Sequence, residues 1–271
     1  MSITSELSFI TTGDGVRLAY RLDGPADLPA LLLSNAIRTA LHMWDAQVPE
    51  LSRHFRVLRY DARGHGASDA PAGAYSLDRL GHDALELLDQ LGLQRVHVLG
   101  LSLGGWVGQW MAIHAPQRVD RLVLTNTAAH LGPRSQFDPA IAALMAAPDM
   151  RETAETFLRN WFPASALAAN GDNVQDFRKT LLATRREGVA GSWAAVRDAD
   201  LRRTIALINR PTLVIAGRHD TVTSLAHGEE LARGIPGARL QVLDAVHLSN
   251  IERPGEFMDA VLGFLLENEG R

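Results

Sequence analysis

A serine between two glycines is the residue of this sequence best placed for nucleophilic chemistry. Residues 100–104 read Gly-Leu-Ser-Leu-Gly, directly after an apolar run and directly before a helical pattern. This context is typical of a nucleophile elbow, a sharp turn that presents a serine hydroxyl at the end of a strand. Gly100 and Gly104 fit it because the turn leaves no room for Cβ atoms. Ser102 is therefore the predicted nucleophile.

A serine at neutral pH needs a base, and the base needs a carboxylate that orients it. Asp220 and His247 each follow a predicted strand by a few residues. Both are therefore expected at the carboxyl edge of the sheet, where ligands bind in open α/β sheets. Asp244 is closer to His247 in sequence, but it lies on the wrong loop. The predicted triad is Ser102, Asp220 and His247.

Acyl transfer also needs two donors for the negative charge that develops on the carbonyl oxygen. The amide of Leu103, directly after the nucleophile, is the first candidate. The second is expected from the loop after the strand at 30–33, where the position of Ala36 suits it best. The oxyanion hole is thus predicted at Ala36 and Leu103.

A glycine-rich segment at 61–69 follows another predicted strand and reads Asp-Ala-Arg-Gly-His-Gly-Ala-Ser-Asp. An Asp-Arg-Gly run can indicate phosphate or metal binding. The favoured interpretation is structural, with Asp61 and Arg63 forming an ion pair inside a tight loop. No function is assigned to this segment.

The elements that position these residues are read from hydrophobic periodicity. Two alternating stretches and six continuous apolar runs predict eight strands, at 6–11, 16–22, 30–33, 55–60, 96–101, 122–124, 213–216 and 240–243. Unbroken apolar runs suit strands that are buried on both faces of a parallel sheet. Helical patterns between them predict right-handed crossovers. The expected fold is an α/β domain with a mostly parallel eight-stranded sheet flanked by helices.

The alternation is interrupted between residues 131 and 203, where only helical patterns occur. The predicted helices are 139–147, 151–162, 173–186 and 192–198. This stretch is predicted to be a helical lid or cap inserted into the core. The core would then comprise residues 1–130 and 204–271.

Composition excludes several classes of protein. An apolar fraction of 46% and a charged fraction of 21% suit a globular chain and argue against disorder. The absence of cysteine excludes disulfides, thiolate metal sites and a cysteine nucleophile. No basic run suggests nucleic-acid binding, and no apolar run is long enough for a membrane span. With no leader-like N-terminus, a cytoplasmic protein is expected. No metal-ligand cluster or dinucleotide fingerprint occurs, so no cofactor is expected.

With these residues identified, the chain resembles the α/β-hydrolase superfamily and, within it, the 3-oxoadipate enol-lactonases, from about residue 8 to 266. The most specific segments are Leu-Ser-Asn at 33–35, Leu-His-Met-Trp-Asp at 41–45, Tyr-Asp-Ala-Arg-Gly-His-Gly at 60–66, Gly-Leu-Ser-Leu-Gly-Gly at 100–105, Val-Gly-Gln-Trp at 107–110, Leu-Thr-Asn-Thr-Ala at 124–128 and Ala-Val-His-Leu-Ser-Asn-Ile-Glu at 245–252. The resemblance implies the same triad. It also implies a carboxylate-bearing lactone as substrate, in protocatechuate or catechol breakdown.

The sequence departs from that family around the expected pocket. Ala-Ile-Arg at 36–38 replaces the family's usual Ser-Leu-Gly, and Phe137 stands where a tryptophan is usual. Arg38 beside the oxyanion hole would either crowd a small lactone or bind its carboxylate. Arg38 and Arg134 are the candidates for a carboxylate clamp. The candidates for pocket walls are Phe137, Met145, Trp161 and Trp193.

The sequence therefore predicts a carboxylic ester hydrolase that works through an acyl-enzyme, with 3-oxoadipate enol-lactone or a related lactone as substrate. The alternatives are a broad carboxylesterase, another lactonase or a perhydrolase of the same fold. Outside the enzymes, a ligand receptor built on this fold is the alternative. A small ester or lactone is the expected partner, and a homodimer is left open.

Overall fold

The computed structural model describes residues 6–267, which form one eight-stranded sheet with helices on both faces. The strand order is β1-β2-β4-β3-β5-β6-β7-β8, and only the β1–β2 and β2–β4 pairs are antiparallel. The strands are β1 Ser8–Thr11, β2 Arg17–Asp23, β3 Ala30–Ser34, β4 Arg56–Tyr60, β5 Val96–Leu101, β6 Val119–Thr125, β7 Thr212–Gly217 and β8 Arg239–Leu243. The prediction of eight mostly parallel strands is confirmed.

The central strands are buried on both faces, as their unbroken apolar sequences require. In β3, Leu31 and Leu33 face one core cluster, while Leu32 between them faces the other. Successive side chains of a strand point to opposite faces, so a strand covered on both sides must be apolar throughout. Helices α2 and α3 cover the cluster around Leu32, and α11 covers the cluster around Leu31 and Leu33; the ranges of these helices follow.

The helices are α1 Val48–Leu51, α2 Leu77–Gln90, α3 Leu103–His114, α4 Arg134–Ala146, α5 Arg151–Trp161, α6 Ala164–Ala169, α7 Asp172–Ala183, α8 Arg186–Asp198, α9 Leu225–Gly234, α10 Ser249–Glu252 and α11 Pro254–Leu265. At the start of α2, the hydroxyl of Ser76 accepts a hydrogen bond from the amide of Arg79, as expected of an N-cap. No helix in the described range combines the length and apolarity needed to cross a bilayer.

Helices α4 to α8 lie between β6 and β7 and are called the cap segment below, residues 131–203. Several boundaries differ from the sequence prediction: α4 already begins at Arg134, ahead of Pro139, α8 begins at Arg186, and α7 ends at Ala183 instead of at residue 186. The short helix α6 was not predicted. It has six residues, too few for an apolar period to be recognised.

Two kinds of contact join the cap segment to the core. At its ends, the amide of Leu201 donates to the carbonyl of Ala129 at 2.9 Å, forming a narrow neck. Further along, α8 packs directly on the loop after β4. A Cβ atom on Gly188 would lie only 2.0 Å from the carbonyl oxygen of Gly64. The cap therefore rests on the core at a point where only glycine fits on both sides.

The loop after β4 has a different pairing from the one expected. Asp61 does not pair with Arg63; instead it accepts hydrogen bonds from the amides of Leu41, at 2.6 Å, and Ala67, at 2.8 Å. Arg63 instead forms a forked ion pair with the buried Asp83 of α2, with Nη2 2.6 Å from Oδ1. The prediction was wrong because a carboxylate 20 residues away lies opposite the guanidinium.

Candidate active site

Ser102 lies in the turn between β5 and α3 with a strained backbone. Its φ of 55° and ψ of −116° lie outside the regions that non-glycine residues usually adopt, at a cost on the order of 1–3 kcal/mol. Hydrogen bonds hold this conformation: the Ser102 amide donates to Thr125 O at 3.0 Å, and Thr127 Oγ1 donates to Ser102 O at 2.8 Å. The end of β6 thus fixes the elbow.

The two glycines of the motif are required by close backbone contacts. A Cβ on Gly100 would lie 2.2 Å from the carbonyl oxygen of Gly104, and one on Gly104 would lie 2.0 Å from that of Ser34. The need for Gly104 therefore comes from the end of β3, rather than from crowding against Ser102. A larger residue at either position would displace the nucleophile.

Asp220 and His247 lie on the loops after β7 and β8 and are hydrogen bonded to each other. Nδ1 of His247 is 2.8 Å from Oδ2 of Asp220, and both side chains are buried. Asp244, the alternative carboxylate, is exposed and pairs with His219 at 2.8 Å. The parallel register, with Gly217 opposite Leu243, brings the two loops to the same sheet edge as Ser102.

Five donors surround the carboxylate of Asp220. Oδ1 accepts from the amides of Val222, at 2.8 Å, and Thr223, at 3.0 Å. Oδ2 accepts from Thr223 Oγ1 at 2.8 Å, from Asn126 Nδ2 at 2.9 Å and from His247. Burial alone would raise the pKa of Asp220, but the nearby His247 and these hydrogen bonds outweigh it and lower the pKa below its usual value. The carboxylate is thus held ionised.

Sequence reasoning did not identify Asn126 and Thr223 as part of this arrangement. Asn126 adopts a positive φ of 43°, and its Oδ1 accepts from Ser249 Oγ at 2.6 Å. It therefore links the end of β6 to the loops that carry the aspartate and the histidine. Its place after a buried strand was a usable signal, because asparagine tolerates the left-handed region better than most residues.

The two predicted oxyanion donors lie at the ends of neighbouring strands. Leu103 begins α3 and lines the cavity described next, as does Ile37. The amide of Ala36 lies 3.4 Å from Sδ of Met43, and Ala36 does not line the cavity. Because a thioether sulfur is a weak acceptor, this amide is only weakly bonded.

A cavity of ≈450 Å³ opens over Ser102 and His247, between the core and the cap segment. Its size suits a small organic ligand. Three of the predicted wall residues, Phe137, Trp161 and Trp193, line it, whereas Met145 is 44% exposed and does not. Phe157, not singled out from the sequence, packs edge-on against Trp161, with ring centroids 5.2 Å apart. The cap segment therefore supplies an aromatic wall.

The charged groups at the cavity differ from the expectation. Neither predicted arginine lines it, and the described lining residues include no arginine or lysine. Arg134 is on the surface, with a 71% exposed side chain 2.9 Å from Asp198, so an acid of the cap neutralises it. Arg38 is fully buried behind the wall, where its guanidinium lies 4.6 Å from the ring centroid of Phe157.

Polar groups line the cavity mainly along one side of α5. Glu152, Thr156 and Asn160 recur every four residues and therefore share one helix face. Glu152 is the one acidic residue among the described lining residues. Within residues 6–267, no group of three His, Asp or Glu side chains is arranged to hold a metal ion.

Comparison with known proteins agrees with this geometry. A family model for the alpha/beta hydrolase fold matches residues 29–254. The chain is 39% identical to 3-oxoadipate enol-lactonase 2 of Acinetobacter baylyi, covering 92% of this chain and 93% of the relative. A crystal structure of an enol-lactonase from Burkholderia xenovorans superposes with a TM-score of 0.93 at 40% identity, covering 96% and 100% of the two chains. A hydrolase from Pseudomonas aeruginosa superposes with a TM-score of 0.95 at 62% identity, covering 97% and 99%. The chain therefore belongs to the α/β-hydrolase fold family, in which it is a hydrolase similar to the 3-oxoadipate enol-lactonases.

Proposed function

We propose that the protein hydrolyses a lactone or ester through an acyl-enzyme formed on Ser102. One observation carries the proposal: a serine held in a strained elbow and a buried His247–Asp220 pair face the same cavity. A strained backbone that brings a nucleophile to a base is typical of sites for acyl transfer. A metal or cofactor is not needed for this chemistry.

In the proposed first step, His247 Nε2 takes the proton of Ser102 as Oγ attacks the carbonyl carbon. Asp220 keeps the other imidazole proton on Nδ1 and stabilises the imidazolium that forms. The carbonyl oxygen gains negative charge and is bound by the amides of Leu103 and Ala36. The Ala36 amide contacts only the weak sulfur acceptor of Met43 in this structure, so it would lose little hydrogen bonding when it binds the oxyanion.

The proposed second step returns the proton and frees the acid. His247 gives its proton to the leaving oxygen, then activates a water that attacks the acyl carbon. In an enol-lactone, the leaving oxygen is an enolate and stays tethered to the acyl chain. Such a good leaving group needs little proton donation from His247. The main task of the pocket is then to hold the lactone ring in one orientation.

For the substrate, we favour 3-oxoadipate enol-lactone or a related lactone that carries a carboxylate. The names and the near-complete coverage of the relatives support this choice. The cavity volume of ≈450 Å³ is ample for a five-membered lactone with a short acidic side chain. The cap helices that form the roof would then select the substrate, while the core supplies the chemistry.

A second candidate is hydrolysis of neutral esters with apolar acyl groups. It is favoured by the aromatic wall and by Glu152, which would repel an anionic substrate at the rim. A single panel separates the two candidates: kcat/KM for 3-oxoadipate enol-lactone, for neutral γ- and δ-lactones and for short 4-nitrophenyl esters. A clear preference for the acidic lactone supports the first candidate, and a preference for neutral esters supports the second.

The serine mechanism has its own test. Ser102→Ala should lower kcat by about 10⁴- to 10⁶-fold, because nucleophile and base act as a unit. A burst of 4-nitrophenol from 4-nitrophenyl acetate, equal to one per active site, would reveal the acyl-enzyme. Near-native turnover by Ser102→Ala would exclude the mechanism, and release limited to one equivalent or none would favour a ligand receptor.

A further inference from the structure

Arg38 is an arginine whose position is costly in two respects. Its side chain is fully buried, and no carboxylate of the described residues forms an ion pair with it. Nη2 donates to the carbonyl of Leu181 at 2.9 Å, but Nε and Nη1 are buried without a hydrogen-bond partner. Buried guanidinium groups are normally paired with an anion. Burial lowers the pKa of Arg38 to about 10, so it still carries its charge at neutral pH.

The backbone of Arg38 adds a second cost. Its φ of 62° lies in the left-handed region, which favours glycine. A chain under selection for stability alone would place a glycine here. A strained backbone and an unpaired buried charge at one residue indicate that the arginine is kept for binding.

Arg38 is separated from the cavity by one aromatic ring. The preceding residue, Ile37, lines the cavity. The guanidinium carbon lies 4.6 Å from the ring centroid of Phe157, and the Phe157 ring also lines the cavity. The Phe157 ring also stacks on Trp193, with the ring centroids 6.0 Å apart. Phe157 is partly exposed and packs at the edge of both core clusters, so it covers the cation from the cavity side.

A second unsatisfied group lies in the same region. Nε2 of His65 is buried and has no partner among the described residues. His65 belongs to the loop after β4, and the positive charges of Arg38 and Arg185 both act on it. Arg185 itself donates to the carbonyl of Ser68. Two guanidinium groups, those of Arg38 and Arg185, thus act on this region between core and cap, and no carboxylate of the described residues forms an ion pair with Arg38.

From these observations we propose that Arg38 forms an anion subsite covered by Phe157, which receives the carboxylate of the substrate when the ring turns aside. The inference rests on the proposed ester or lactone hydrolysis and specifies how an acidic substrate is recognised. The unpartnered Nε–H and Nη1–H groups of the guanidinium supply the donors, and the displaced Phe157 ring remains against the aromatic wall. The cavity then presents an apolar surface to neutral substrates and a cation to acidic ones.

The test compares two esters of equal chain length, mono-4-nitrophenyl glutarate and 4-nitrophenyl pentanoate. Arg38→Met keeps an unbranched, flexible stem and removes the guanidinium with its charge. It should lower kcat/KM for the glutarate ester by about 10- to 100-fold, the value of one or two charge-assisted hydrogen bonds. The pentanoate ester should change by no more than about threefold. An equal loss with both esters would overturn the proposal.

A matched control separates a direct contact from general attraction. Arg134→Met removes an exposed cation of the cap segment, which is paired with Asp198. It should change the ratio of the kcat/KM values for the two esters only slightly. This change should vanish in about 0.5 M NaCl, where surface charges are screened. The effect of Arg38→Met should persist at that salt concentration. If salt abolishes both effects alike, Arg38 acts only at long range and the subsite is excluded.

Two further measurements keep the proposal testable if turnover or folding fails. Free glutarate should raise the Tm of the native protein but not of Arg38→Met, and this readout needs no catalysis. Phe157→Leu should lower KM for the glutarate ester, because a smaller cover is easier to displace. Absence of turnover with both esters would refute the proposed function alone. A Tm unaffected by glutarate, with KM unchanged in Phe157→Leu, would refute the subsite alone.

Discussion

Replacing Asp220 by asparagine keeps the shape of the side chain and changes which atoms can accept hydrogen bonds. Oδ1 faces the two backbone amides of Val222 and Thr223, which cannot turn away. The amide oxygen of the asparagine must therefore occupy this side. Its NH₂ group then faces His247 Nδ1 and the NH₂ of Asn126, in place of Oδ2.

The substitution changes which ring nitrogen of His247 carries the proton. With a donor opposite it, Nδ1 of His247 must accept, so the ring proton moves to Nε2. In that tautomer Nε2 cannot take the proton of Ser102. Loss of the correct tautomer costs about 10⁴-fold in kcat, or about 5.5 kcal/mol. The facing NH₂ groups of residues 126 and 220 add a stability loss of about 1–3 kcal/mol.

The assay is the initial rate with 4-nitrophenyl butyrate at pH 8, together with thermal unfolding to verify that the variant is folded. Asp244→Asn is the matched control, since that aspartate is exposed and contacts His219 instead of His247. It should retain native kcat. Retention of more than a tenth of the activity by Asp220→Asn would refute the reasoning, and so would an equal loss in Asp244→Asn.

Two further predictions concern stability. Burial, together with nearby Arg38 and Arg185, lowers the pKa of His65 to about 4, so the folded state binds fewer protons than the unfolded chain between pH 6.5 and 4. Stability conferred by the neutral ring is therefore lost as the pH falls, on the order of 2 kcal/mol at pH 5. In urea unfolding at pH 7.5 and pH 5, His65→Gln should therefore lose less unfolding free energy on acidification than the native protein. His42→Gln, at an exposed histidine, should lose as much as the native protein. An equal loss in all three proteins would contradict the assignment. Gly188→Ala should lower the free energy of unfolding by about 1–3 kcal/mol, because its Cβ would meet the backbone of Gly64. Gly263→Ala, in an open position of α11, should instead raise the free energy of unfolding by about 0.5–1 kcal/mol. If Gly188→Ala leaves the free energy of unfolding unchanged, the cap does not rest on this contact.

The strands, the turn at Ser102 and the positions of Asp220 and His247 could be predicted from the sequence. The strands follow from apolar runs, and the need for Gly100 follows from the sharpness of the turn, whereas Gly104 is required by the end of β3. The loops after β7 and β8 place Asp220 and His247 because parallel strands end at one edge. Each of these inferences needs only neighbouring residues and the direction of the strands.

The orientation of long side chains could not be obtained in this way. Arg63 pairs with Asp83 instead of Asp61 because α2 brings a distant carboxylate opposite the loop. Arg38 does not line the cavity because a carbonyl of α7 and the ring of Phe157 bind its guanidinium. Such partners come from other elements, and residue type at one position does not reveal them.

The neck between Ala129 and Leu201 has a consequence for how this protein can change over evolutionary time. A backbone hydrogen bond of 2.9 Å joins the two ends of the cap segment. The chain therefore leaves the core and returns to it at neighbouring positions. Lengthening such an insertion adds little entropic cost of closure, since that cost grows only with the logarithm of its length. Ser102, Asp220 and His247 all lie outside it. We therefore expect that the cap segment can change in length and sequence more readily than the core, provided that its close contact with Gly64 is kept.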